Sequence, residues 1–176
     1  MSVRKVCEWF ASSLQLDASL HPMTQHQPDD VLRFAPIDHT NFSQVLELKR
    51  PESEDYVAPV VLSLAEAWLY RDEQIIRPFA VYVGEQLVAF VMTSEEQGTR
   101  VLDIWRILIP EEHVNKGYGT RILETMIANA RESKGYDALQ LSYVPGNDLA
   151  EHVYRKVGFQ ATGVIDDGEI VMRMDL

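Results

Sequence analysis

Two short patterns in this chain have residue types and spacings that could do chemistry. The first is Val114-Asn115-Lys116-Gly117-Tyr118-Gly119-Thr120. Gly117 and Gly119 let the backbone turn tightly and approach a ligand without a Cβ in the way. A helix that starts there presents unpaired N–H groups and the positive end of its dipole, which together suit an anion. The segment lacks the Gly-x-x-x-x-Gly-Lys-Ser/Thr spacing of a P-loop. Ile122 also stands where a dinucleotide fingerprint would carry a third glycine. By itself the pair of glycines serves a plain turn equally well. The second pattern is Asn147, then Tyr154 seven residues later, then Gly158-Phe159. Seven residues are close to two helical turns, so both side chains share a face. A phenol there could donate a proton to a leaving group. The plainer alternative is an N-cap asparagine and a half-buried aromatic.

The surrounding elements follow from periodicity and turn signals. The run 31–36 reads as a strand weakened by Pro36. Asn41 is placed to cap a helix reaching Lys49, with Val45, Leu46 and Leu48 apolar. Ser63-Leu64-Ala65-Glu66 has the form of a capping box opening a helix to about Asp72. Phe79–Val83 and Leu87–Met92 flank Gly84-Glu85-Gln86 as a hairpin, and a third strand, 101–109, stops at Pro110. Ile122, Leu123, Met126, Ile127 and Ala130 form one stripe of a helix over about 118–132. A strand at 138–144 precedes a helix over about 148–156, which Gly158 ends. Asp166-Asp167-Gly168 divides the remainder into two strands. The order is β-α-α-β-β-β-α-β-α-β-β, an α+β layered domain with a mixed sheet over residues 31–176.

Residues 1–30 stand apart. Val3, Val6, Cys7, Phe10 and Leu14 fall at helical spacing, and the polar stretch 21–30 reads as a linker. This extension is either incidental to the fold or a helix through which two copies pair as a homodimer. The sequence leaves both open.

Composition narrows the function classes. The chain has 176 residues, 46% of them apolar, which suits one globular core. The net charge of -11 argues against nucleic acid and anionic membranes as partners, and is compatible with a cationic substrate. No window is long and apolar enough for a membrane helix, and Glu8 interrupts any signal-peptide core. Cys7 is the single cysteine, so no internal disulfide can form, and a reducing, cytoplasmic location is expected. No Cys/His cluster has zinc spacing, and no metal is expected.

Taken together, in this order and separation, the two patterns resemble those of the GNAT superfamily of N-acetyltransferases, whose pyrophosphate loop reads Gln/Arg-x-x-Gly-x-Gly/Ala before a long helix. Within it the likeness is strongest to bacterial spermine/spermidine (diamine) acetyltransferases. It rests on Tyr56-Val57-Ala58-Pro59, Ser63-Leu64-Ala65-Glu66-Ala67-Trp68, Arg77-Pro78-Phe79-Ala80, Trp105-Arg106 and Gly168-Glu169-Ile170-Val171-Met172. The resemblance implies a mixed, mostly antiparallel central sheet flanked by helices, with acetyl-CoA as co-substrate and a small-molecule amine as acceptor. It implies that Ile107, Leu108 and Ile109 pair with the pantetheine arm. Val114, Asn115, Lys116, Gly117, Tyr118, Gly119 and Thr120 would hold the pyrophosphate, with Asn147 and Tyr154 beside them. Tyr154 would protonate the departing sulfur. Glu66, Asp103, Trp105 and Glu169 fall on the acceptor side, and Asp103, Glu66 or a water chain would serve as base. Two departures stand out. Val114 occupies the Gln/Arg position of the loop, and Trp105 stands where some polyamine acetyltransferases carry a glutamate.

Overall fold

The computed structural model describes residues 31–50 and 56–176. The helical pattern at residues 3–14, Cys7 and the stretch 21–30 lie outside the described residues. The elements are β1 (Leu32–Pro36), α1 (Phe42–Leu46), α2 (Val60–Leu69), β2 (Gln74–Val83), β3 (Gln86–Glu96) and β4 (Val101–Leu108). After a one-turn 3₁₀ helix (Glu111–His113) come α3 (Tyr118–Ser133), β5 (Ala138–Tyr143), α4 (Asp148–Val157), β6 (Gln160–Asp166) and β7 (Glu169–Asp175). The order is the one expected.

One seven-stranded sheet runs β1-β2-β3-β4-β5-β7-β6. Every neighbouring pair is antiparallel except β4 and β5. A parallel pair needs a long crossover, and α3 supplies it. Apolar cores cover both faces. One gathers Ile122, Leu123, Met126 and Ile127 of α3 against Val81, Val91, Leu102 and Leu139. The other gathers Val45 and Val60 against Ala80, Tyr82, Phe90, Met92 and Leu108. This explains the unbroken apolar run of β3: Val88 to Met92 are each at most 1% exposed, and from Ala89 onward successive residues enter opposite cores.

Local signals misplaced one helix start and overran two helix ends. The expected capping box at Ser63 is not a cap. Pro59 occupies the N-cap position and α2 begins at Val60. Ser63 lies inside the first turn, where its hydroxyl donates back to the Pro59 carbonyl at 3.2 Å. A proline suits the start of a helix, where its absent N–H is not needed, and it displaced the Ser-x-x-Glu signal. The helix also ends at Leu69, short of Asp72. Asn41 stands before α1 but caps nothing. Its Oδ1 accepts from the Asp38 N–H and its Nδ2 donates to the Pro36 carbonyl, both at 3.0 Å, so it ties the β1–α1 loop and the helix stops at Leu46.

The downstream signals behave as expected. Asp167 and Gly168 both take positive φ, 46° and 83°, as a two-residue hairpin turn requires. The outer strand β6 is exposed along its whole length, and its register with β7 shifts between Ala161 and Ile165, around Gly163 at φ 82°. Among the described residues, no helix is long and apolar enough to cross a membrane. Among the described residues, no group of three or more His, Cys, Asp or Glu residues could hold a metal ion.

Gly158 closes α4 at φ 109°, and a Cβ there would sit 3.1 Å from the Met174 Cε. Gly158→Ala therefore meets both backbone strain and a packing clash. It should lower unfolding stability by about 1–3 kcal/mol, measured by urea denaturation. An unchanged midpoint would mean that the turn relaxes freely.

Candidate active site

The site begins where β4 and β5 part. They pair only through Val101–Ala138, Leu102–Leu139 and Asp103–Gln140. Beyond that rung β4 continues to Leu108 and β5 to Tyr143 with no bonds between them. On its other side β4 remains paired to β3 through Leu108. The divergence leaves a wedge with strand backbone along one wall, and two clefts open from it.

The first cleft, about 280 Å³, lies over the N-terminus of α3. Ile107, Ile109, Val114, Asn115, Gly117, Tyr118, Gly119, Thr120, Asn147 and Tyr154 line it. Gly117 holds the αL conformation at φ 80°, and Asn115 precedes it at φ 61°. At Gly119 a Cβ would come into van der Waals contact with the Ile109 Cδ1, at 3.4 Å. The helix carries no side-chain cap and no acidic residue in its first turn. Its first return bond is Arg121 N–H to the Gly117 carbonyl, at 3.1 Å. The N–H groups of Tyr118, Gly119 and Thr120 precede that bond, so the helix start is a donor surface of positive dipole. The start of α4 is different. Asn147 accepts from the Ala150 N–H at 3.2 Å, and Asp148 and Glu151 occupy the first turn. Two expected residues sit elsewhere. Leu108 alternates into the opposite core at 5% exposure, and Lys116 is exposed outside the cleft lining.

The second cleft, about 380 Å³, is walled by residues 56–59 and Leu62, by Ile104 to Ile107, by Ser142 to Val144 and by Glu169. Trp105 and Glu169 are thus brought together in this cleft. Glu66 does not line it: its carboxylate pairs with the Arg106 guanidinium at 2.9 Å. Arg106 itself lines the cleft and lies 4.8 Å from the Trp105 ring centre. Sequence reasoning missed Arg106 because an arginine within an alternating strand reads as an outward residue. Its partner is set by how α2 crosses the sheet, which leaves no local trace.

Tyr154 lines both clefts, as do Asn147, Val57 and Ile107. Its ring is half-buried, held between Tyr143 at 6.2 Å and Phe159 at 6.4 Å. Burial, and then the nearby Glu169 charge, push its phenol up to about 12. The hydroxyl therefore stays protonated at neutral pH. Glu169 opens β7, where the Ser142 hydroxyl donates to its carboxylate.

Asp103 forms the last rung before the strands part. Burial raises its carboxyl to about 6; the Ser94 hydroxyl, 3.3 Å away, opposes this, and Glu169 and Asp166 add to it. A carboxyl raised in the folded state weakens folding once it ionises, so the penalty is absent below about pH 4 and complete above pH 6. Asp103→Asn keeps an acceptor for Ser94 and removes that penalty. Its stability advantage over wild type should widen by about 1 kcal/mol between pH 5 and pH 7.5, read from urea unfolding. A difference constant with pH would contradict the raised carboxyl.

Comparison with known proteins agrees with this geometry. The model of the acetyltransferase (GNAT) family matches residues 42–159. The spermine/spermidine N(1)-acetyltransferase of Bacillus subtilis is 26% identical over 144 residues, 77% of this chain and 93% of that protein. Among solved structures, an aminoglycoside acetyltransferase with coenzyme A and kanamycin superposes with a TM-score of 0.67 at 17% identity, covering 82% of this chain and 95% of that one. The spermidine N-acetyltransferase of Vibrio cholerae, with CoA and spermine, gives 0.60 at 19% identity, covering 82% and 94%. With two-thirds of its length matched by the family model around a divergent strand pair and a glycine-turned helix start, the chain belongs to the GNAT acetyltransferase family.

Proposed function

We propose that this acetyltransferase transfers the acetyl group of acetyl-CoA to a primary amine of a polyamine such as spermidine or spermine, by direct attack in a ternary complex. The observation that carries the reading is the position of Tyr154 in the wall shared by both clefts. A group there can act where the two substrates meet.

In this reading the loop 114–120 and the α3 N-terminus hold the pyrophosphate, and Ile107 to Ile109 lie along the pantetheine arm. A backbone N–H of that strand segment polarises the acetyl carbonyl. The neutral amine attacks, the carbonyl becomes a tetrahedral oxyanion, and its collapse breaks the C–S bond. Tyr154 gives its proton to the sulfur. A phenol near 12 is a weaker acid than a thiol near 8.5, so transfer even to the free thiolate is uphill by about 5 kcal/mol, and it is completed when the tyrosinate regains a proton from solvent. The amine's surplus proton goes to Asp103 or to water. Burial raises the Asp103 carboxyl, although the residue lines neither cleft, whereas Glu66 is paired with Arg106.

The polyamine assignment draws on the Bacillus subtilis relative, on the Vibrio cholerae neighbour and on Glu169 in the acceptor cleft. One ammonium must lose its proton to react, and the others need anionic partners. A second reading has its own observation. Arg106, a cation and hydrogen-bond donor, lines the second cleft. That favours an acceptor amine that also carries an oxygen function, such as an amino acid, a peptide or an aminoglycoside.

A transfer assay across polyamines, aminoglycosides, amino acids and peptides tests the choice. Turnover of an oxygen-bearing amine with neither polyamine used would retain the acetyltransferase and discard the polyamine. Tyr154→Phe should lower kcat by about 10- to 1000-fold with little change in affinity for acetyl-CoA. An unchanged kcat, with chemistry shown to be rate-limiting, would make Tyr154 structural. Glu169→Gln should raise KM for spermidine about 10- to 100-fold, the loss of one charge-assisted hydrogen bond. The KM for acetyl-CoA should hardly move. Equal changes in both constants would place Glu169 outside acceptor binding.

A further inference from the structure

We propose that His113 is a coenzyme-positioning residue, its imidazole Nε2–H donating to a phosphate oxygen in the cleft above the α3 N-terminus. The proposal rests on reading that cleft as the pyrophosphate site. The observation behind it is a buried nitrogen that no other role explains. His113 closes the 3₁₀ turn ahead of the glycine loop and is 4% exposed. The residue lines the first cleft, and its ring meets Tyr118 edge-on, with centres 5.6 Å apart at 83°. Its backbone N–H bonds to the Pro110 carbonyl at 2.9 Å, which fixes the residue in place. Its Nδ1 is sealed from water and has no hydrogen-bond partner.

A ring kept only for packing against Tyr118 would be better as phenylalanine, which buries no unsatisfied nitrogen. The imidazole must be there for its other edge. A neutral ring carries one N–H, and an orphaned buried N–H is rarer than an under-satisfied acceptor. The sealed Nδ1 is therefore the bare nitrogen, and the proton sits on Nε2. That makes the side chain a donor in a cleft whose other donors are the uncapped N–H groups of α3. All of them suit an anion. The neighbouring Val114 offers the loop no polar side chain, so His113 fills that deficit from one position earlier.

The test measures binding of coenzyme A by calorimetry and of pantetheine, which lacks phosphate, by its inhibition constant. His113→Phe keeps the aromatic contact and should raise the Kd for coenzyme A about tenfold, leaving pantetheine unchanged. His113→Gln restores an N–H donor and should recover part of the loss. Coenzyme A bound equally by wild type and His113→Phe would overturn the proposal. So would equal weakening of both ligands with a lower Tm, because that pattern marks a packing role. Wild-type protein that binds no coenzyme A would instead overturn the reading of the cleft itself.

Discussion

The structure depends on one interruption of hydrogen bonding: β4 and β5 pair for three rungs and then part. A parallel pair inside a sheet would ordinarily continue, since each lost rung exposes an N–H and a carbonyl. Here the two strands are pulled in different directions. β4 stays bonded to β3 as far as Leu108, and β5 stays bonded to β7 as far as Tyr143. The opening is thus held from both sides by intact antiparallel ladders. Its backbone groups are held in place by the fold itself.

Charge is distributed along the same wedge. Asp103 lies at its apex and Glu169 farther out, and each influences groups beyond itself: Glu169 raises both the Asp103 carboxyl and the Tyr154 phenol. Burial is the larger cause at both groups, and the Glu169 charge acts in the same direction as burial. Arg106 and Glu66 neutralise each other between α2 and β4. An ion pair of this kind contributes little net stability, but it fixes α2 against the strand that bears Trp105.

The elements with strong local codes were legible in the sequence. The stripe from Ile122 to Ala130, the αL glycine after α4 and the Asp167-Gly168 turn each state their conformation within a few residues. The glycine loop and the Asn147–Tyr154 spacing were legible for the same reason. Other features depend on long-range contacts. Glu66 reads as half of a cap until Arg106 is brought against it from another element. Leu108 reads as one of three equivalent strand residues until the sheet is seen to bury both its faces. The divergence of β4 from β5 is the least local of all. Nothing within residues 101–108 or 138–143 announces where pairing stops, because the partners on either side decide it.

The two outer strands raise a separate matter. An unpaired edge invites any extended chain to add to the sheet, and β6 is exposed throughout, with Val164 and Ile165 more than half accessible. The register shift around Gly163 bends that edge out of the straight geometry an incoming strand would need. At the far side β1 is only five residues long and ends in Pro36, which has no N–H to offer. A kinked margin and a short one are both poor templates for an added strand.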